Sequence, residues 1–169
     1  MEFDTASLSR ADQLHLSAAS GWIGLGDFDS ARAELDELSA TAKKHPQALL
    51  VQSEYFFAAE EWSLLVPLAD KLVRKFPEAD CLWINRSYAL HELNRTQEAF
   101  DTLLPSTEKF PKVWLIRYNL ACYCAQLGNK EEALRWLLRA VRLADKKEVM
   151  AMAMEDTDLV SLRDAIREL

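Results

Sequence analysis

The sequence has few of the residues that interrupt regular structure. Its 169 residues include only 4 glycines and 5 prolines, too few for the many tight turns of an all-β fold. Half of the residues (50%) are hydrophobic and 28% are charged, a composition typical of globular rather than disordered proteins. The length predicts a single domain over 1–169, large enough to fold without a metal ion or a disulfide.

Positive charge is also scarce. The 20 lysines and arginines are outnumbered by 27 acidic residues, for a net charge of −7, and an acidic surface repels phosphate backbones, which argues against a nucleic-acid partner. No run of about 18 apolar residues predicts a membrane span, and residues 1–10 do not read as a secretory signal. Three cysteines without a disulfide spacing favour reduced thiols and a cytoplasmic location.

Motifs for catalysis or metal binding are missing as well. The sequence has no Gly-rich phosphate loop, no nucleophile elbow and no His-x-x-x-His pair. Cys122 and Cys124 are two residues apart on a helical pattern, so their side chains point about 200° apart and cannot bind one metal ion together. We therefore expect a non-enzymatic protein without a metal ion or a cofactor.

The sequence does contain an internal repeat. NRTQEA at 94–99 aligns with GNKEEA at 128–133, which is 34 residues later, and GDFDSA at 26–31 is in phase with both. Phe-Pro pairs at 76–77 and 110–111 have the same spacing. A period of this length is the signature of a repeat architecture. The repeats fall at about 12–45, 46–79, 80–113 and 114–147, and 148–169 remain as a C-terminal cap.

Small residues recur in two columns of these repeats. One column holds Ala19, Ser53, Ser87 and Ala121, and a second, small-to-medium column holds Ala31, Leu65, Ala99 and Ala133. Each repeat has two apolar runs of helical period separated by a polar turn, which predicts two antiparallel helices. Small side chains let such helices approach closely, and several helix pairs must stack to bury their apolar faces.

This pattern resembles the tetratricopeptide repeat. Trp83, Ala99 and Pro111 stand at consensus positions of the third repeat, and the fourth repeat carries Leu120, Ala121, Gly128, Ala133, Leu137 and Ala140. The resemblance covers 12–147. It implies an all-α fold, a right-handed superhelical solenoid of antiparallel helix pairs. Trp22 and Trp83 are expected in the core, and Pro105 is expected to kink its helix.

In tetratricopeptide-repeat proteins, the first helix of each repeat lines a concave groove that binds peptides. The resemblance therefore implies a non-catalytic protein–protein interaction module that binds a peptide or helix of a partner protein. One subclass clamps a C-terminal carboxylate with cations, but Leu16 and Leu50 stand at those positions, so an apolar ligand fits better. The expected groove residues are Leu50, Glu54, Phe57, Ile84, Asn85, Tyr88, His91, Leu115, Tyr118, Asn119 and Cys122.

Two other roles remain open from the sequence. The end surfaces of the stack could join copies into a structural homo-oligomeric scaffold, or the chain could be a small secretion-type chaperone. A second candidate surface is a basic strip on the last repeat, which we expect to be a solvated face with Arg135 paired to Glu131. Its members are Arg135, Arg139, Arg142 and Lys146.

Overall fold

The computed structural model describes residues 7–168, and all of its regular elements are helices. They fall into two compact units that meet in sequence between Phe76 and Pro77. The first unit contains α1 (Arg10–Leu25), α2 (Phe28–Asp36), a 3-10 helix (Ala42–Lys44), α3 (Pro46–Ala58) and α4 (Trp62–Lys75). The prediction of one domain over the whole chain stays a prediction.

The second unit begins with two helix pairs and ends with shorter elements. It contains α5 (Asp80–Glu92), α6 (Thr96–Leu103), α7 (Ser106–Lys109), α8 (Trp114–Gln126), α9 (Lys130–Val141), α10 (Lys146–Glu155), a 3-10 helix (Thr157–Leu162) and α11 (Arg163–Arg167). Within residues 7–168, no helix is both long and apolar enough to cross a membrane.

The backbone repeats with the predicted period. The turn after the first helix of each repeat contains one residue with positive φ: Gly26 (76°), Glu60 (57°), Asn94 (59°) and Gly128 (81°). These four positions are 34 residues apart. A left-handed conformation is uncommon outside glycine, so Glu60 and Asn94 adopt it because the turn between the two helices requires it.

Both columns of small residues lie in the core, as the sequence predicts. Ala19 and Ala31 are fully buried in the first unit, and Ala121 and Ala133 are fully buried in the second. Ser87 is also buried, and its hydroxyl donates to the Ile84 carbonyl oxygen at 2.9 Å. A buried serine therefore keeps the column small without leaving its hydroxyl unpaired.

The second helix of the third repeat differs from the expected single helix with a kink at Pro105. Helix α6 ends at Leu103 and α7 begins at Ser106, so Pro105 separates two helices rather than kinking one. Arg117 of α8 is buried and donates to three carbonyl oxygens at the end of α7 and in the turn before α8, those of Thr107, Phe110 and Val113. The guanidinium thereby satisfies carbonyl groups that the end of α7 leaves without an intrahelical partner.

Two tryptophans have environments that the repeat columns do not predict. Trp22, expected in the core, has 36% of its surface exposed, whereas Trp136, outside the strong columns, is only 7% exposed. Arg139 covers the Trp136 ring, with its guanidinium carbon 4.3 Å from the ring centre. Phe56, one repeat later in the same column as Trp22, is half-buried as well, so this column is not uniformly part of the core.

Helix α2 provides a matched test of the small column. Ala31 is fully buried and Ala33, on the same helix, is exposed. We expect Ala31→Trp to lower the free energy of unfolding by about 1–3 kcal/mol or more, because overpacking forces the helices apart. Ala33→Trp should leave it nearly unchanged. Thermal melting followed by circular dichroism measures both, and equal melting temperatures would contradict the assigned repeat frame.

Candidate functional site

The expected groove residues of the first unit lie on one side of α3. Glu54 is exposed, while Leu50 and Phe57 are half-buried. The Phe57 ring meets the Trp62 ring edge to face, with 5.5 Å between the ring centres. This contact joins α3 to the first residue of α4, so Phe57 serves packing within its own repeat and still presents part of its surface.

The expected groove residues of the second unit divide into open and covered positions. Ile84, Asn85 and Leu115 are half-buried and Tyr88 is 37% exposed. Tyr118 is only 4% exposed, and Asn119 and Cys122 are buried as well. Their assignment to an open groove is therefore corrected for Tyr118, Asn119 and Cys122.

Residues 156–162, which we call the C-terminal segment, cover this part of α8. The Tyr118 hydroxyl donates to Asp156 Oδ2 at 2.8 Å, and the Cys122 thiol reaches the same oxygen at 3.5 Å. His91 Nε2 of α5 lies 2.9 Å from Asp158 Oδ2. Two carboxylates of the chain itself therefore contact side chains that the sequence predicts to contact a partner protein.

Local structure explains why the C-terminal segment lies there. Asp156 ends α10 and caps the following 3-10 helix, with its Oδ1 accepting the Asp158 N–H at 2.9 Å. Gln126 Nε2 donates to the Asp158 carbonyl oxygen at 3.1 Å. Leu159 and Leu162 are buried, so the segment is anchored by apolar burial as well as by polar contacts.

The carboxylates of the C-terminal segment also set the electrostatics of the site. The hydrogen bond to Asp158 raises the pKa of His91 above its ordinary value of 6.5. His91 Nδ1 lies 3.0 Å from Thr96 Oγ1, which fixes the orientation of the ring. Burial, followed by the charges of Asp156 and Asp158, raises the pKa of the Cys122 thiol well above its usual range.

These atoms favour a structural role over a chemical one. A reactive thiol needs a lowered pKa and a neighbouring base, whereas Cys122 is held protonated beside a carboxylate. The ligand-type atoms of Cys122, Asp156 and Asp158 lie within 4.8 Å of one another. Tyr118, Cys122 and His91 already form hydrogen bonds with the two carboxylates, so contacts within the protein account for the cluster.

The two members of the basic strip that lie on α9, Arg135 and Arg139, are engaged by side chains of their own helix. Arg135 pairs with Glu132 at 2.9 Å, rather than with the expected Glu131. Arg139 stacks on Trp136. The strip therefore carries less available charge than its sequence indicates.

Comparison with known proteins agrees with the repeat pattern. Residues 116–147 match the family model described as tetratricopeptide repeat, and MamA, a protein of this type, is similar in structure. The chain has the tetratricopeptide-repeat fold. No curated protein matches the sequence.

The similarity to MamA extends over most of the chain. The structure described as "MamA MSR-1 C2" is 21% identical, with a TM-score of 0.73, over 86% of this chain and 82% of that one. "MamA 41-end from Desulfovibrio magneticus RS-1" is 16% identical, with a TM-score of 0.73, over 96% and 97% of the two chains. Identities this low establish the shared fold alone.

The residues that sequence reasoning missed are Gln126, Asp156 and Asp158. One signal was present, because Asp156-Thr157 reads as a helix N-cap. Nothing in the repeat pattern indicates that the capped segment returns to the inner face of α8, because this segment lies outside the 34-residue repeats.

Protonation of His91 should couple pH to stability. Because its pKa is raised in the folded protein, the stabilisation is complete below the unfolded pKa of about 6.5 and is lost as the pH rises through the folded value. We expect the melting temperature of the wild type to fall over this range relative to that of His91→Gln, which keeps a hydrogen-bond donor. Every other side chain is shared by the two proteins, so the difference between their curves reports on position 91. Parallel curves for the two proteins would contradict the assignment.

Proposed function

We propose that this chain is a non-catalytic protein-binding module that takes a peptide or helix of a partner protein on the inner faces of its first helices. The fold supports an interaction or scaffold role, because tetratricopeptide-type proteins are generally interaction modules. The finer proposal rests on the side chains that the chain leaves open on those faces. The free cysteines, of which Cys81 is exposed, are consistent with a reducing cytoplasm.

Tyr88 is the observation that carries this proposal. It lies on α5 beside the C-terminal segment, is 37% exposed, and belongs to the same face as half-buried Ile84. A tyrosine presents a large apolar ring and a polar tip at a low cost in side-chain entropy, which suits an anchor for a peptide. The C-terminal segment covers Tyr118 but leaves this neighbouring position partly open.

Charge around Tyr88 indicates what kind of peptide would fit. Burial raises the pKa of Tyr88 to about 12, and the carboxylates of Glu92, Asp158 and Asp156 add to the shift. A surface of apolar side chains beside several carboxylates favours a ligand with an apolar anchor and a neighbouring lysine or arginine. An acidic tail would be repelled. The secretion-type chaperone remains a special case of this binding role.

Replacement of Tyr88 tests the proposal. Peptides are first selected on the wild-type protein from a displayed random library, without any assumption about the natural partner. We expect Tyr88→Ala to weaken their binding about tenfold or more, which corresponds to about 1.4 kcal/mol. Isothermal titration with the selected peptides measures the change, and circular dichroism melting on the same samples verifies the fold.

Leu104→Ala is the matched control, because Leu104 is 36% exposed and follows α6, the second helix of the same repeat. It should bind the peptides as the wild type does. Unchanged affinity in Tyr88→Ala, or an equal loss in both variants, would remove the inner face as the binding surface.

A further inference from the structure

An apolar groove lies between α2 and α4 of the first unit, and α3, which contacts both helices, forms its floor. Its volume is about 420 Å³, within the range of roughly 300–1,000 Å³ that is usual for ligand sites. We call it the α2–α4 groove. Its large apolar side chains are Leu35, Leu38, Leu49, Phe56, Leu64 and Leu68.

The repeat does not require an apolar surface on the α4 side of this groove. Leu64 is 50% exposed, whereas the equivalent positions of the third and fourth repeats hold Glu98 and Glu132. Pro67 is exposed as well, and its equivalent in the fourth repeat is Arg135. Exposed apolar residues gathered in one groove mark an interaction surface.

The second unit shows that bulky side chains can be buried at the equivalent positions. Leu68 corresponds to Trp136 and Leu49 corresponds to Arg117, each two 34-residue repeats later. Trp136 and Arg117 are both only 7% exposed. Leucine is smaller than either residue, so the first unit leaves open a space for which the second unit has its own side chains.

The surroundings of Trp136 indicate what kind of side chain suits that space. The guanidinium carbon of Arg139 lies 4.3 Å from the centre of the Trp136 ring. Lys71, at the edge of the α2–α4 groove, is the equivalent of Arg139. A lysine ammonium can cover an aromatic ring as an arginine does. The groove therefore suits an aromatic ring that rests on the two leucines and is covered by Lys71.

The charges at the edge of the groove favour an acidic residue beside that ring. Lys43 and Lys71 are present with one carboxylate, that of Asp36. Lys71 is exposed and forms no ion pair within residues 7–168. The Lys43 amine donates to the Asp36 carbonyl oxygen at 2.7 Å, which holds this cation at the edge. The positive excess is complementary to an acidic partner segment.

We propose that the α2–α4 groove binds a segment of a partner protein that carries a tryptophan next to acidic residues. The indole ring packs on Leu49 and Leu68, and Lys71 covers it. This surface has the opposite charge preference to the one at Tyr88, so it is a second binding surface. The net charge of −7 repels an acidic segment at a distance, so we expect weak binding.

A synthetic peptide tests the proposal on the full chain. Its sequence is Ser-Asp-Glu-Trp-Glu-Asp-Ser with blocked ends, and titration followed by ¹H–¹⁵N NMR of the protein measures both its affinity and its location. The shifted amides should cluster in α3 and α4. The same peptide with alanine in place of tryptophan should bind about tenfold more weakly or worse. Equal binding of both peptides, no binding, or shifts confined to other helices would overturn the proposal.

A double variant transfers the residues of the fourth repeat into the groove. Leu68→Trp combined with Lys71→Arg should fill the space and weaken peptide binding about tenfold or more, without lowering the melting temperature. Leu65→Trp is the matched control for open space, because Leu65 of the same helix is fully buried and should lose stability through overpacking. An equal loss of stability in both proteins would show that the groove is closed, and would overturn the proposal.

A surface variant tests the groove without changing its floor. Leu64→Lys should weaken binding of the tryptophan peptide, while Leu14→Lys on α1, where Leu14 is 63% exposed, should bind it as the wild type does. An equal affinity for the peptide in both variants would contradict the assignment.

A change of charge tests the role of Lys71. Lys71→Glu should weaken binding of the acidic peptide and strengthen binding of Ser-Lys-Lys-Trp-Lys-Lys-Ser. Arg10→Glu changes the net charge equally at another exposed position and should leave the preference as in the wild type. The same change of preference in both variants would show that only net charge matters, and would contradict the proposed contact.

Sedimentation velocity addresses a second copy of the chain as the occupant. If the wild type dimerises and the variant with a filled groove does not, a second copy occupies the groove and the proposal is wrong. Equal sedimentation of both proteins supports it. Tyr88→Ala should bind the acidic tryptophan peptide as the wild type does, so this proposal and the proposed function can fail separately.

Discussion

The close approach of the two helices in each pair is the constraint on which the rest of the structure depends. Fully buried Ala19 and Ala31 in the first unit, and Ala121 and Ala133 in the second, leave no room for a larger side chain. Two helices this close form a thin layer with apolar residues on both flanks. Each layer therefore needs a cover on each side, and the available covers determine which surfaces remain for partners.

At the end of the second unit, the C-terminal segment supplies a cover and also extends onto the inner face of α8. Its leucines bury apolar surface, while Asp156 and Asp158 engage Tyr118 and His91. The same few residues thus close the fold and restrict the candidate binding surface. Partner binding in this unit is consequently proposed at Tyr88, next to the covered area.

Much of this architecture is predictable from the sequence. The 34-residue period gives the helix pairs, the small columns and the turn positions, because each of these depends on contacts that recur in every repeat. The environments of Trp22 and Trp136 are not predictable in this way. Trp22 occupies a column whose burial differs from repeat to repeat, because Phe56 is half-buried whereas Leu90 and Cys124 are buried, and Trp136 is buried outside the columns. The position of the C-terminal segment was missed for the same reason, since it occurs once.

The most direct test of this account is the accessibility of Cys122, measured by thiol labelling of the native protein in a Cys81→Ser background. Cys122 lies beneath the C-terminal segment and contacts Asp156. Cys124 is buried on the same helix, and its pKa is raised to about 11 by burial and then by Glu132. Leu159→Ala should loosen the segment and leave a cavity beneath it. The account predicts faster labelling of Cys122 in this variant with little change at Cys124. Equal acceleration of both thiols, or none at Cys122, would contradict it.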